Sequence, residues 1–221
     1  MSERHLIVST HFDDAALSVA LLLGAAGPVA TVVTVCGGAP ADATPAGSWD
    51  ARAGFATGDA AARARALEDA AACAITGAAT HRLAHCDSPY REGLVDGEEL
   101  RGQIAGLLSE DAVLWIPAGI TNPDHINVRD ALIPLAASRP ELAGVYADLP
   151  YAATASFDLP PELASALPGL VCTDVDVDGA DFARKLAAVE CHGSQIPLLV
   201  EEWPDLLAPA GPLRRERYWR A

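Results

Sequence analysis

Short β-branched runs alternate along this chain with alanine-rich stretches of helical character, and that alternation limits the fold more than any other feature. The first apolar run, 5–10, ends at a polar turn; residues 14–23 then read as a helix stopped by Gly24 and Gly27-Pro28. A second buried strand spans 30–36, closed by Gly37-Gly38. Further strands are expected at 81–84, 112–117 and 144–147, with an edge strand at 171–177 where apolar residues alternate with aspartates. Helices are expected at 59–76, 97–109, 127–138 (despite Pro134) and 180–191. This is the pattern of an α/β, Rossmann-like, mostly parallel sheet flanked by helices, with its active site at the carboxyl ends of strands one and four. The Gly- and Pro-rich stretch 39–58 reads as a long loop, and long loops in compact domains are commonly functional.

At 221 residues the chain suits one domain spanning 1–221. Although 51% of it is apolar, the run 15–23 is broken by Ser18 and falls short of the roughly 20 residues a membrane span needs. Neither a membrane segment nor a secretion signal is expected. Five cysteines without a C-x-x-C pair suit free thiols in a reducing, cytoplasmic setting. A formal net charge of -15 argues against nucleic acid and anionic membrane surfaces as partners. The expected partner is a small molecule, and homo-oligomerisation is left open.

Two turns hold candidate chemistry. Ser9-Thr10-His11-Phe12-Asp13-Asp14 lies where strand one gives way to helix one. There His11 and Asp14 can converge on one cation while Asp13 stays free to act as a base. The bland alternative is that both aspartates only cap the helix. Thr121-Asn122-Pro123-Asp124-His125 follows strand four and opens another helix. Strands one and four lie side by side at the switch point of the common doubly wound order, so His125 can meet His11 over one crevice. Two imidazoles and a carboxylate suit zinc, and also iron(II).

The segments Thr10-His11-Phe12-Asp13-Asp14-Ala15 and Asn122-Pro123-Asp124-His125 resemble the A-H-P-D-D-E and H-P-D-H motifs of the PIG-L/LmbE-like zinc-dependent N-deacetylases. Arg65-x-x-Glu68-x-x-x-Ala72 before Gly77, and Cys191-His192-Gly193-Ser194-Gln195, resemble that family's R-x-x-E…A…G helix and its late A-H-x-S-Q segment. The resemblance implies zinc on His11, Asp14 and His125, Asp13 as general base, and Asp124 as an orienting carboxylate. It implies hydrolysis of an amide in a small N-acylated sugar or glycoconjugate. An amidase acting on a thiol (mycothiol-type) conjugate also fits the family. Asn122 stands where the family has an oxyanion-stabilising histidine, so a non-catalytic metal-binding or scaffold protein is the alternative from another class.

Candidate substrate contacts are Trp49 and Arg52 in the long loop, Arg65 on the following helix, and Asp87 and Tyr90 after strand three. Simple loop anchoring explains Trp49 equally well, and a solvated, salt-bridged helix face explains Arg65. Helix capping is a sufficient reason for His192. The basic, aromatic tail 214–220 is expected to dock on the protein's own acidic surface.

Overall fold

The computed structural model describes residues 3–153 and 158–221. In chain order the first half holds β1 (Arg4–Ser9), α1 (Asp14–Ala26), β2 (Ala30–Thr34), α2 (Ser48–Arg52), α3 (Gly58–Thr76), β3 (Ala79–Arg82) and α4 (Gly97–Leu107). The second half holds β4 (Ala112–Pro117), α5 (Pro123–Ala137), β5 (Ala143–Tyr146), α6 (Pro161–Ala166), β6 (Val171–Asp176), α7 (Gly179–Glu190), α8 (Ile196–Glu202) and β7 (Arg215–Arg220).

The strands form one seven-stranded sheet in the order β3-β2-β1-β4-β5-β7-β6. The first five are parallel, and β7 pairs antiparallel with β5 and β6. The α/β expectation holds, and β1 lies against β4 with Leu6 opposite Leu114 and Ile7 opposite Trp115. Central parallel strands are covered on both faces, so their residues are apolar in both directions. All six residues of β4 are buried, whereas edge strand β3 is exposed throughout.

Alternation along β1 divides the core. Leu6 and Val8 pack with Leu100 and Ile104 of α4 and with Val128 and Leu132 of α5. Ile7 points the other way, toward Ala15, Val19 and Leu23 of α1. Local chemistry fixes the helix ends: Thr57 caps α3 through Ala60 N at 3.4 Å, Asp96 caps α4 through Glu98 N and Glu99 N at 2.9 and 2.8 Å, and Gly77 closes α3 at φ 81°.

Three parts depart from the expected pattern. The tail does meet acidic partners, with Arg217 Nε 2.6 Å from Asp174 and Arg220 Nη2 2.6 Å from Glu3, but it does so as a strand inside the sheet. Its run of charge hides a period of two in which Glu216 and Tyr218 face α1 and α7 while Trp219 enters the opposite core. The short helix α2 lies inside the stretch 39–58 that reads as loop, and α6 and α8 fall where no element is expected. Third, α1 is kinked at Val19 (φ -137°, ψ 23°).

That kink leaves the Leu21 N–H to Glu216, whose two carboxylate oxygens accept it at 3.1 and 3.2 Å. Glu216 also receives Lys185 Nζ at 2.8 Å and the Tyr218 hydroxyl. The Lys185 and Glu216 side chains are both fully buried, and burial pulls the lysine below its usual range despite its partner. Removing one member of such a pair strands the other charge. Glu216→Ala should therefore lower stability by about 3–5 kcal/mol in denaturant unfolding. Glu3→Ala, which loses the partly exposed Arg220 pair and a 3.9 Å approach to His5, should cost less than about 1 kcal/mol by the same measurement.

Candidate metal centre and cleft

Every candidate group comes from the edge of the sheet where the five parallel strands end, the position at which α/β folds hold ligands. The turn after β1 is self-braced: Ser9 Oγ donates to the His11 carbonyl at 2.7 Å and accepts from Ala15 N at 3.2 Å. Asp14 turns back to accept the His11 N–H at 2.7 Å, and Asp13, at the N-cap of α1, makes no side-chain capping bond. The capping alternative therefore does not account for the aspartate pair. The turn after β4 is tight, with Gly119 at φ 71° and Thr121 at φ 51°. A Cβ at Gly119 would lie 2.9 Å from Arg129 Cβ and 3.0 Å from the His125 carbonyl, so glycine is required there. Asn122 then caps α5 by accepting from Asp124 N at 2.9 Å, with Pro123 in the first turn.

These two turns bring three donor atoms together. His11 Nδ1 lies 3.2 Å from His125 Nε2; Asp14 Oδ2 lies 3.3 Å from His125 Nε2 and 3.7 Å from His11 Nδ1. A tetrahedral ion with bonds of about 2.0–2.1 Å needs ligand atoms roughly 3.3 Å apart, so the triangle has the dimensions of a zinc-sized site. Each imidazole is oriented from behind. His125 Nδ1 lies 3.2 Å from Asp148 Oδ1, and Asp148 Oδ2 accepts Gly119 N and Ile120 N at 2.7 and 3.1 Å, tying the β4 turn to the end of β5. His11 Nε2 lies 3.5 Å from both Asp87 Oδ1 and Asp124 Oδ2.

The carboxylates are themselves neutralised by a chain of arginines. Arg91 pairs with Asp124, while Arg65 pairs with Asp50 and lies 3.7 Å from Asp87. Tyr90 donates its hydroxyl to Asp50 and accepts Gly47 N at 2.8 Å. Arg65 is only 7% exposed, so it leaves the solvated helix face for the interior. Trp49 Nε1 donates to Gln195 at 2.8 Å, which anchors the long loop to the segment before α8. Arg52 points outward to Glu201 at 2.7 Å and does not line the cleft.

The fields follow from this arrangement. Burial disfavours a charged His11, but Asp124, Asp14 and Asp87 outweigh it and hold its pKa well above the usual value. His125 is likewise raised, against burial, by Asp14 and Asp148. Burial and the neighbouring Asp14 carboxylate push Asp13 up. Asp14 is held down against burial by His125 and His11. Asp124 is lowered by His11 and Arg91, and Asp87 lies well below the carboxylate range because His11 and Arg65 offset its burial. One acid is thus raised beside another that is lowered, an arrangement that separates a proton acceptor from a ligand.

A cleft of about 370 Å³ opens over the triangle, with His11, Asp13, Asp14, Arg65, Asp87, Asn122 and the rings of Trp49, Tyr90, Tyr151 and Trp203 on its walls. His125 and Asp124 stand behind that surface, both buried. Asn122 Nδ2 donates to the Tyr151 hydroxyl at 3.1 Å, and the Tyr151 ring meets His125 edge-on at 5.2 Å. Burial pushes the Tyr151 hydroxyl up to about 12, so it is protonated at neutral pH. His192 is fully buried beyond the end of α7, and neither ring nitrogen has a hydrogen-bond partner among the described residues; a capping bond does not explain it. Asp148 and Trp203 were not singled out individually by the sequence. For Asp148 the available signal was its place just past the carboxyl end of β5, on the same edge as both motifs.

No family model matches the chain, and no curated protein does. Solved structures do. The A40926 pseudoaglycone deacetylase Dbv21 is 28% identical, with 99% of this chain and 96% of that one covered at a TM-score of 0.74. The zinc-inhibited form of teicoplanin deacetylase Orf2 is 26% identical, with 99% and 98% covered at a TM-score of 0.76. The 4-carboxy-2-hydroxymuconate hydratase GalB of Pseudomonas putida, at 17% identity, 99% and 95% coverage and a TM-score of 0.58, shares the fold alone. The fold carries more than one chemistry, so the site must decide between them. In architecture the chain is similar to these deacetylases, which belong to the PIG-L/LmbE family.

Proposed function

We propose that this protein is a zinc-dependent hydrolase that removes an acyl group from the amine of a small N-acylated sugar or glycoconjugate. The observation that carries the reading is the triangle of His11 Nδ1, Asp14 Oδ2 and His125 Nε2, whose 3.2, 3.3 and 3.7 Å edges match the tetrahedral spacing of zinc ligands. The likeness to two glycopeptide-antibiotic deacetylases above 25% identity over nearly the whole chain supports the same chemistry.

His11, Asp14 and His125 would hold the ion beside the cleft. When bound, zinc supplies a Lewis acid that polarises the acyl carbonyl and makes water more acidic. Asp13, raised by burial and by Asp14, accepts the proton of the attacking water and returns it to the departing amine. The carbon–nitrogen bond breaks as a carbon–oxygen bond forms, giving a carboxylate and a free amine. Asp148 and Asp124 position the two imidazoles. Asn122 fills its oxygen with the helix cap and turns its amide toward Tyr151, so the pair forms a polar wall beside the reacting carbonyl. The rings of Trp49, Tyr90, Tyr151 and Trp203 suit the faces of a sugar, with Arg65 and Asp87 at the polar end of the cleft. Arg52 acts from outside the cleft, through its grip on α8 and its place over the Trp49 ring.

Metal analysis combined with acetate release from N-acetylated sugars tests the reading. Asp13→Asn should lower kcat by on the order of a hundredfold to ten-thousandfold while a single zinc stays bound; unchanged turnover would show that Asp13 is not the base.

The pH dependence has a definite sign. Folded-state pKa values of His11 and His125 lie above the unfolded value of about 6.5, so their ion pairs stabilise the metal-free protein fully below that pH and less as pH rises through the folded values. Zinc must displace those protons. Its apparent affinity should therefore climb with pH from about 6.5 upward, by as much as about tenfold per unit for each proton released. Chelator-competition titrations check the affinity. Thermal unfolding should show stability falling with pH in the chelated protein, with a smaller fall in the zinc-loaded one.

A further inference from the structure

The two nitrogens of His11 face different neighbours. Nδ1 belongs to the donor triangle, whereas Nε2 looks toward Asp87 and Asp124 at 3.5 Å. Cys36 lies close to the same ring. It follows the end of β2, is 3% exposed, and its backbone N–H donates to the Thr10 carbonyl at 2.9 Å, which fixes it beside the His11 turn. A ring nitrogen of His11, the Cys36 Sγ and a carboxylate oxygen of Asp124 all lie within 4.8 Å of one another. Arg91 engages Asp124 Oδ1, leaving Oδ2, the oxygen nearest His11, for a further partner.

We infer that Cys36, Asp124 and the Nε2 side of His11 form a second cation site, selective for a thiophilic divalent ion such as cadmium or excess zinc, and that filling it arrests hydrolysis. Donor chemistry separates the two sites. The triangle offers two imidazoles and a carboxylate; the second set adds a thiolate, which favours soft and borderline ions over magnesium or calcium. Binding there releases the Cys36 thiol proton and the His11 Nε2 proton to solvent, and makes metal bonds to sulfur, nitrogen and oxygen. The approach of Asp124 to His11 that orients the imidazole is then lost. The inference rests on the reading that His11 Nδ1 serves the catalytic ion, so its test uses a signal that needs no turnover.

Zinc-loaded protein carrying one ion per chain is titrated with cadmium chloride while thiolate-to-cadmium charge-transfer absorbance, released zinc and deacetylation are followed together. The expected result is a saturating charge-transfer band that rises in step with loss of activity while zinc stays bound. Cys36→Ser and Cys36→Ala retain the other four cysteines, so they control for thiols elsewhere. Both should keep their basal activity and single zinc, lose the saturating band, and need at least about tenfold more cadmium for half-inhibition. Magnesium should neither inhibit nor perturb the spectrum. The same band and the same inhibition in both Cys36 variants would overturn the inference, as would one-for-one release of zinc, which means replacement at the triangle. If the wild-type band depends on Cys36 but no substrate is hydrolysed, the second site stands and the hydrolase reading fails.

Discussion

The site depends on one constraint, the parallel pairing of β1 with β4. Leu6 opposite Leu114 and Ile7 opposite Trp115 put the turns that follow the two strands on the same sheet edge. The ladder fixes where each turn begins. The apolar layers on both faces fix the strands, because a slip of one residue would exchange Leu6 and Val8 with Ile7 between the two cores. Each turn then refines the position locally: Ser9 and Asp14 brace the first, and Gly119 with Asp148 braces the second. Residues 114 positions apart in sequence thereby reach 3.2 Å.

Around that contact the protein has gathered more carboxylates than the two imidazoles alone can balance. Asp14, Asp87, Asp124 and Asp148 all approach a histidine, and Arg65 and Arg91 are drawn inside to offset them. Such burial is costly unless every charge is paired, and here Arg65 and Arg91 each reach an acid, Asp87 and Asp124, that in turn reaches the His11 ring. The same carboxylates hold the imidazoles ready to exchange a proton for a cation. The acidic balance of the chain, which argued against nucleic acid, is concentrated here as a cation-binding field. Glu216 plays a comparable part at a distance, holding Lys185 and the broken turn of α1 so that the helix carrying Asp14 can both start at the site and follow the sheet.

Much of this was legible in the sequence. Strands β1, β2 and β4 are runs of Val, Ile and Leu with few alternatives, and the motif at each carboxyl end carries side chains that have little reason to sit together except around an ion. The pairing of β1 with β4 followed from the doubly wound rule, and the donor triangle followed from that pairing. What was not legible arose where tertiary context overrides local pattern. Arg65 lies in an Arg- and Ala-rich helix that reads as solvated, and only the fold reveals Asp50 and Asp87 waiting for it. Trp49 and Arg52 share the short helix α2 but diverge, one toward Gln195 at the cleft and the other toward Glu201 outside it. Strand β7 was masked by its arginines, whose charge is offset by Asp174, Asp176 and Glu3 only once the sheet has formed. Asp148 looked like one acidic residue among thirty acidic positions until its two oxygens were seen to join His125 to the Gly119 turn.

The central claim is that one ion is gripped by both turns at once. The most direct measurement is anomalous diffraction at the zinc absorption edge from crystals of the zinc-loaded protein. The account predicts a single strong peak at about 2.0–2.2 Å from His11 Nδ1, Asp14 Oδ2 and His125 Nε2. A zinc-loaded protein whose peak lies away from these three atoms, or hydrolysis that persists after the zinc is removed, would contradict it.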